Sequence, residues 1–196
     1  MTPRAYHLGR RQTAVDRTRA RILKAARALL VARRTTEFGI DAVARRARVT
    51  RATVYHHFGS RPKLLEALFD DLARRGGMWD LAHAFRQADP DEALASFITT
   101  FARFWTAHRP IHRRLLALAA LDAGLDRTVS ARQEWRRQGL RVIVGRIRDA
   151  QDETIDLLFT LTSFQTFDVL AGPTRSPADV APIVLRAARV ILQLPI

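Results

Sequence analysis

The chain has 196 residues, of which 47% are hydrophobic, so it is long enough to bury a sizeable core in one large domain or two small ones. It contains no cysteine, which excludes disulfides and thiolate chemistry, and it has no uncharged apolar run long enough to predict a membrane span. The net charge of +14 is concentrated in residues 1–75, which hold 18 Lys and Arg against 6 Asp and Glu, whereas the remaining residues hold 15 against 13. A basic segment of this kind is typical of a module that binds a polyanion.

The N-terminal segment, residues 1–15, is basic and poorly periodic, and we predict an arm without stable structure of its own. Its arginines either reach DNA beside the main contact surface or form a solvated tail. The segment lacks the apolar stretch of a signal peptide, so we expect a cytoplasmic protein. A first helix is predicted from Asp16 or Thr18 to about Ala32, because an apolar stripe recurs at helical spacing. The stripe consists of Ile22, Leu23, Ala26, Leu29 and Leu30.

Two short helices joined by a tight turn are predicted between residues 39 and 58. Apolar residues recur at spacings of three and four on the first helix, and Val54 and Phe58 are four apart on the second. Thr50 is placed to be the N-cap of the second helix, where its hydroxyl accepts from a free backbone amide. This pattern predicts a helix-turn-helix whose second helix enters a DNA major groove. The other face of that helix carries Arg51, Thr53, Tyr55, His56 and His57.

The segments Val49–Phe58 and Gly59–Leu65 resemble the signature of the tetracycline-repressor (TetR) family of transcriptional regulators. The resemblance covers roughly residues 17–76 and rests on Tyr55, Phe58, Ser60, Lys63 and Leu64 at their spacings. It implies an all-α fold, with an N-terminal three-helix helix-turn-helix DNA-binding unit and a C-terminal helical ligand-binding and dimerisation domain. It also implies a repressor that a small-molecule effector releases from a pseudo-palindromic double-stranded DNA operator.

Two positions depart from the family pattern. The turn usually holds a glycine where this chain has Arg48, so either the turn differs here or Arg48 makes a contact of its own, for example with phosphate. The first helix of the helix-turn-helix usually starts at a threonine where this chain has Gly39. Glycine supplies no side-chain acceptor but leaves backbone amides free for a phosphate.

The resemblance implies phosphate contacts for two residues, and two others are the better candidates for base edges. Tyr55 and Lys63 match phosphate-contacting positions of the family, whereas Arg51 and Thr53 lie on the predicted recognition face. The predicted DNA-binding residues are Gly39, Arg48, Thr50, Arg51, Thr53, Tyr55, His56 and Lys63.

The remaining chain predicts further helices, about nine or ten in all. A fourth helix opens at Ser60 and continues toward Ala84, unless Gly76–Gly77 interrupts it. The later helices are expected near residues 90–107, 110–122, 127–149, 154–171 and 177–193. We therefore predict a basic arm (1–15), a DNA-binding domain (16–76) and a helical effector-binding and dimerisation domain (77–196).

The two helices expected at 154–171 and 177–193 are unusually apolar. A helix that is apolar around most of its circumference is buried on more than one side. We predict a homodimer held by these helices, which agrees with the four-helix bundle through which family members dimerise. The alternative is a central core pair in a monomer.

Aromatic residues are frequent in the region after the helix-turn-helix. These aromatic residues either form plain core or line an effector cavity between helices. Few charges lie beside them, which favours an apolar or aromatic effector. The predicted ligand-binding residues are Trp79, Phe101, Phe104, Trp105, Trp135 and Phe159.

The sequence motifs give little support to an enzymatic function. Ser60 and Lys63 have the Ser-x-x-Lys spacing of some acyl transferases, but an N-cap and a phosphate contact explain them better. His108 and His112 are four apart, yet Pro110 lies between them and no third ligand is near in sequence. We predict no catalytic residue, cofactor or metal. The alternative function is a structural, nucleoid-type DNA-binding protein without effector control.

Overall fold

The computed structural model describes residues 3–32, 38–149 and 151–194, and for residues 3–12 it describes the backbone alone. All regular structure in these residues is helical, which confirms the expected fold class. The described part of the chain forms ten α-helices and one single-turn 3₁₀ helix, and it contains no strand. None of its helices is long and apolar enough to cross a membrane.

Helix α1 runs from Pro3 to Val31. The start predicted at Asp16 or Thr18 is therefore wrong, because the segment before it continues the same helix. Gly9 is the only residue after Pro3 in that segment that strongly disfavours a helix, and one glycine costs about 1 kcal/mol. The side chains of Arg4, Arg10 and Arg11 lie outside the described residues, so the role of the arm stays a prediction.

Helices α2 (Ile40–Ala47) and α3 (Arg51–Phe58) pack against α1. The periodic apolar residues predicted for each helix are buried, including Val54 and Phe58 on α3. Helix α4 (Arg61–Arg75) follows at once and buries its own apolar face. The three-helix unit thus forms around the side chains whose spacing predicted it. These side chains are Ile22, Leu23, Ala26, Leu29, Leu30, Ile40, Val43, Ala44, Ala47, Val54 and Phe58.

The described chain after α4 forms one 3₁₀ turn and six α-helices, of which the second and third are the longest. Helix α4 ends at Arg75, before Gly76–Gly77, rather than continuing to Ala84. The elements that follow are a 3₁₀ turn (Met78–Asp80), α5 (Leu81–Arg86), α6 (Pro90–Ala119), α7 (Ala123–Val144), α8 (Asp152–Leu161), α9 (Phe164–Ala171) and α10 (Pro177–Leu192).

Helix α6 replaces the two helices predicted at 90–107 and 110–122. The expected break is a kink, in which His108 leaves helical geometry at φ −128° and ψ 21° and the helix then resumes. Pro110 explains the kink, because its ring removes one amide donor and clashes with the carbonyl of the preceding turn. Nε2 of His108 lies 3.0 Å from the carbonyl oxygen of Leu72, which places α4 beside the kink.

The helix predicted at 154–171 is two helices, α8 and α9. Ser163 caps α9 by accepting from the amide of Thr166 at 3.2 Å. Arg136 donates from Nη1 to the carbonyl of Phe159 and to Oγ1 of Thr162, both at 2.8 Å. Arg136 thus satisfies a carbonyl group in the last turn of α8, where a cation is also favoured by the helix dipole. Burial, and then the charge of Arg137, lower the pKa of Arg136 to about 9, so it remains a cation at neutral pH.

Arg109 likewise donates to carbonyl groups at the C-terminal end of α9. Its Nε donates to Oδ1 of Asp168 at 2.5 Å, and its Nη2 donates to the carbonyls of Asp168 at 3.0 Å and Gly172 at 2.7 Å. The predicted start of the last helix is confirmed: Ser176 and Asp179 form a reciprocal capping box in front of α10.

The chain forms two compact units, and each unit is made of two separate segments. Unit 1 consists of Met1–Asp71 and Arg113–Thr128, and unit 2 of Leu72–His112 and Val129–Ile196. The division falls inside helices α4, α6 and α7. The sequence placed residues 113–128 with the C-terminal domain, whereas they are part of the unit that holds the helix-turn-helix.

Candidate nucleic-acid interface

Helix α3 is held at both ends. At its start, Thr50 accepts from the amide of Thr53 at 3.1 Å, which confirms the predicted N-cap. At its end, Nη1 of Arg19 on α1 donates to the carbonyl of His57 at 3.0 Å, and the guanidinium lies 4.4 Å from the centre of the Phe58 ring. A helix of eight residues is too short to be stable alone, so these contacts and its buried seam fix its direction.

The turn between α2 and α3 keeps its ordinary left-handed form despite the missing glycine. Arg48 adopts φ 53° and ψ 50°, and its amide bonds back to α2. The amide of Val49 donates to the carbonyl of Ala44 at 3.0 Å. A residue with a Cβ is strained in this region, so Arg48 is retained at a conformational cost. Its side chain is exposed and lies on the basic surface of the unit.

The outward face of α3 offers donors to solvent. Arg51, Tyr55 and His56 are exposed, whereas Thr53 is half-buried beside the hydroxyl of Thr50 at 2.8 Å. Burial first, then the charges of His56 and Arg19, lower the pKa of His57, which favours its neutral form. Other basic residues of α2, its turn and α4 are exposed as well: Arg45, Arg46, Arg48 and Lys63.

Arg51 is not a free cation. Its Nη1 lies 3.0 Å from Oδ2 and 3.3 Å from Oδ1 of Asp41 on α2, and its Nη2 lies 3.3 Å from the hydroxyl of Tyr55. The hydrogen bond to Tyr55, and then the charge of Asp41, raise the pKa of Arg51. The sequence had singled out Arg51 and Tyr55 but not Asp41, because no local pattern links a residue of α2 to α3.

The remaining predicted contacts lie at helix starts. The amide of Lys63 donates to Oγ of Ser60 at 3.3 Å, and the side chain of Lys63 is exposed. Gly39 precedes α2 in extended geometry without a side-chain cap, as its lack of a side chain requires. At Gly39 the first amides of α2 have no side-chain cap and lie at the positive end of a helix dipole, where phosphate is favoured. At the start of α4 the exposed cation of Lys63 is the group available to a phosphate, because its amide is already bonded to Ser60.

Comparison with known proteins agrees with this geometry. The sequence profile described as "Bacterial regulatory proteins, tetR family" matches residues 22–68, which hold the helix-turn-helix. The HTH-type transcriptional regulator EthR of Mycolicibacterium smegmatis is 33% identical over 173 residues, which cover 85% of this chain and 80% of that protein. The chain belongs to the TetR family. The predicted resemblance is thereby confirmed.

Solved TetR-like structures share the fold. A transcriptional regulator from Rhodococcus sp. Rha1 has a TM-score of 0.65 at 19% identity and covers 89% of this chain and 96% of its own. NalD of Pseudomonas aeruginosa, a repressor of a multidrug efflux pump, has a TM-score of 0.62 at 18% identity, with coverage of 89% and 95%. At these identities the likeness concerns the fold alone.

The protein is accordingly a helix-turn-helix DNA-binding transcriptional regulator. TetR-family proteins are mostly repressors, often respond to small molecules, and are generally non-enzymatic. Among the described residues, no three His, Cys, Asp or Glu side chains are grouped as a metal site.

One anchor of the TetR-family DNA-binding unit was not predicted. Arg61, the first residue of α4, donates from Nη2 to the carbonyl of Phe38 at 2.9 Å and forms an ion pair with Asp122. The hydrogen bond to Arg61, and then backbone amides led by that of Leu125, lower the pKa of Asp122. The ion pair ties residues 113–128 to the unit. Arg61 and Asp122 are 61 residues apart, so no motif could have shown it.

The six predicted ligand-binding residues do not lie together. Phe101, Phe104 and Trp105 are buried on α6, whereas Trp79 and Trp135 are 73% and 67% exposed. Phe159 lies on α8 beneath the guanidinium of Arg136, whose central carbon is 3.9 Å from the ring centre. The rings of Phe101 and Trp105 contact each other and further aromatic residues of unit 2, namely Phe97, Phe164 and Phe167. The ring of Phe104 contacts those of His108 and His112 instead.

His112 joins this aromatic cluster. Its ring centre lies 4.9 Å from that of Phe104 and 5.1 Å from that of Phe164. Its Nε2 is buried and has no hydrogen-bond partner in the described part of the chain. Burial, and then the charge of His108, lower the pKa of His112 to about 3, so the ring is neutral.

Unit 2 also has an open groove of about 390 Å³. None of the six predicted residues lines it. An ion pair of 2.7 Å between Arg103 and Asp80 lies in it, beside several hydroxyl groups. The lining residues are Asp80, His83, Ala95, Ser96, Thr99, Thr100 and Arg103.

Proposed function

We propose that this protein is a ligand-responsive repressor that binds a pseudo-palindromic operator as a homodimer. The observation that carries the proposal is the outward face of α3, where Arg51, Tyr55 and His56 are exposed on a helix fixed at both ends. A recognition helix needs both properties, because base edges are read only by side chains held in register with the groove.

The contacts with DNA follow from the chemistry of each residue. Tyr55 and Lys63 position the protein on phosphates, with amides near Gly39 and the cation of Arg48 beside them. Arg51 and Thr53 read base edges, and His56 supplies a further hydrogen-bonding group from its imidazole ring. Thr50 contributes chiefly by capping the helix, because its hydroxyl is already bonded to Thr53.

The dimer is proposed to form through α8, α9 and α10. Leu157, Val169 and Val190 are 51%, 80% and 58% exposed on these helices. Exposed apolar surface on adjoining helices favours pairing with a second copy about a two-fold axis. The same symmetry presents two recognition helices to successive major grooves about 34 Å apart.

Sedimentation equilibrium tests the dimer. Arginine in place of the half-buried Ile183 and Ala187 on α10 is expected to give monomers that bind the operator poorly. The control is Leu121→Arg, which charges an apolar side chain that is 85% exposed in unit 1. A monomer at micromolar concentration for the unmodified chain would exclude the two-headed operator model.

The effector is proposed to be apolar or aromatic and to bind at the buried part of the aromatic cluster. Phe101, Phe104 and Trp105 supply the apolar wall, and the unpartnered Nε2 of His112 offers one neutral hydrogen-bonding group. Trp79 and Trp135 are exposed and Phe159 lies beneath Arg136, so these three are not part of the proposed site. The groove beside Asp80 is lined by hydroxyls and an ion pair and suits a polar molecule better.

Tryptophan fluorescence tests the effector site. The chain has three tryptophans, and replacing Trp79 and Trp135 by phenylalanine leaves the buried Trp105 as the sole reporter. Binding of an aromatic probe such as 2-naphthol at this site is expected to shift the emission of Trp105. Emission unchanged by every probe that releases DNA would place the effector elsewhere.

A DNA-release titration separates the proposal from a nucleoid-type protein. Genomic fragments selected by the protein are challenged with a panel of small aromatic compounds, and release from the selected operator is measured. An effector must bind the DNA-free form more tightly than the bound form to act in this way. Uniform affinity for all fragments, unaffected by any compound, would favour the nucleoid-type alternative.

The cellular compartment follows from the proposed role. A regulator of transcription acts where the chromosome lies, which for a bacterial protein is the cytoplasm.

A further inference from the structure

The contact between Asp41 and Arg51 joins two helices within the DNA-binding unit. Asp41 lies in the first turn of α2 and Arg51 is the first residue of α3. Both oxygens of the Asp41 carboxylate lie within 3.3 Å of Nη1 of Arg51. Both side chains are well exposed, at 57% and 60%. An exposed ion pair contributes little to stability, so the main effect of this contact is on the position of the Arg51 side chain.

A second group holds the other side of the same guanidinium. The hydroxyl of Tyr55, one turn along α3, lies 3.3 Å from Nη2 of Arg51. The central carbon of the guanidinium lies 5.5 Å from the centre of the Tyr55 ring. The side chain is therefore fixed between a carboxylate on α2 and a phenol on its own helix.

The fixed guanidinium retains the donors that base reading requires. An arginine has five N–H donors, and the three hydrogen bonds to Asp41 and Tyr55 use at most three of them. Two donors remain, which is the number needed for a bidentate contact with O6 and N7 of guanine. An arginine held in one orientation also loses less side-chain entropy when it binds.

We propose that Asp41 is a specificity-determining residue that positions Arg51 for one base pair of the operator. It acts through Arg51 and does not itself touch the base. A carboxylate beside the phosphate backbone lowers affinity for every DNA sequence, so its presence here is consistent with a gain in discrimination rather than in overall affinity. This inference rests on the proposed recognition role of α3.

Selection from a pool of random double-stranded DNA tests the proposal, with the full-length protein and three variants. Arg51→Ala identifies the base pair that Arg51 reads, as the position where preference falls from about tenfold to within about twofold. Asp41→Ala is expected to reduce the base preference at that same position by at least about threefold. Asp41→Ala is also expected to bind unselected DNA more tightly, because a negative charge has been removed.

Asp41→Asn provides the matched control. It removes the same charge but keeps an oxygen that can accept from Arg51, so it is expected to gain the same general affinity and to retain more of the base preference. Circular dichroism checks that the variants fold, which the exposure of Asp41 favours.

Three results would overturn the inference. The first is an Asp41→Ala protein that changes overall affinity but keeps the unmodified base preference. The second is a loss of preference at a different position from that of Arg51→Ala, because Asp41 would then read a base directly. The third is an Arg51→Ala protein that relaxes no position. If the unmodified protein selects no sequence at all, the proposed function itself fails, which distinguishes the two cases.

Discussion

Arg19 of α1 donates a hydrogen bond of 3.0 Å to the carbonyl of His57, in the last turn of the recognition helix. The last carbonyls of a helix have no partner within the helix, and a cation at that end is also favoured by the helix dipole. The contact therefore fixes α3 to α1 at the end opposite its Thr50 cap.

Replacing Arg19 by methionine is expected to lower the free energy of unfolding by about 1 kcal/mol, because the hydrogen bond and the contact with the Phe58 ring are both lost. Urea unfolding followed by circular dichroism measures the change. Arg17→Met on the same helix is the control and is expected to change stability by less than about 0.5 kcal/mol, since Arg17 is exposed. Equal losses in the two variants would show that Arg19 has no special role.

Arg48→Gly is expected to stabilise the protein by about 0.5–1 kcal/mol, because glycine adopts the left-handed turn at φ 53° without strain. If Arg48 contacts phosphate, the same variant loses DNA affinity at low salt. Arg46→Gly, which places glycine inside α2, is expected to destabilise by about 1 kcal/mol. Thermal unfolding of both variants checks the opposite signs, and a less stable Arg48→Gly protein would contradict the account of the turn.

Lys63→Ala is expected to weaken binding to all DNA sequences by similar factors and to reduce the salt slope by about one unit, as the loss of one phosphate contact requires. Fluorescence anisotropy across a salt series measures both quantities. Lys24 is the only other lysine and is exposed on α1, so Lys24→Ala removes the same charge away from the start of α4. A loss confined to the selected operator would count against the phosphate contact.

Gly76→Ala is expected to destabilise unit 2 by about 1–3 kcal/mol, because a Cβ at this position would lie 2.4 Å from Cδ2 of Phe104 and 3.2 Å from the His108 ring. Gly39→Ala meets no atom within 4 Å and is expected to cost less than about 1 kcal/mol, through its weaker N-cap alone. Calorimetric unfolding compares the two, and similar costs would argue against close packing at the α6 kink.

The stability of the protein is expected to depend on pH through His112. Its pKa is about 3 in the folded protein and about 6.5 in an unfolded chain, so between these values the unfolded chain binds a proton that the folded protein does not. The free energy of unfolding therefore falls as pH falls below about 6.5, by up to about 1.4 kcal/mol per pH unit.

His112→Phe is expected to remove this part of the slope, whereas His83→Phe, at an exposed position, is expected to retain it. Urea unfolding at several pH values between about 5 and 7 measures the difference. An identical slope for His112→Phe and the unmodified protein would show that His112 is not buried in its neutral form.

The sequence by itself determined those features that arise from neighbours along the chain. The apolar residues of α2 and α3, the Thr50 cap and the start of the last helix at residue 177 were all predicted, because helical periodicity and capping are interactions between residues three or four apart. The same local pattern carried the TetR resemblance and with it the identity of the recognition helix.

Only the tertiary structure decided which distant residues meet. The groups around His108 decided whether Pro110 breaks or kinks α6. The contacts of Arg136 decided where α8 ends. The pairs Arg19–His57, Arg61–Asp122 and Asp41–Arg51 join residues 38, 61 and 10 positions apart. Charged residues at such separations have many possible partners along a chain this rich in arginine, and only the packing of the helices brings one of them within hydrogen-bonding distance.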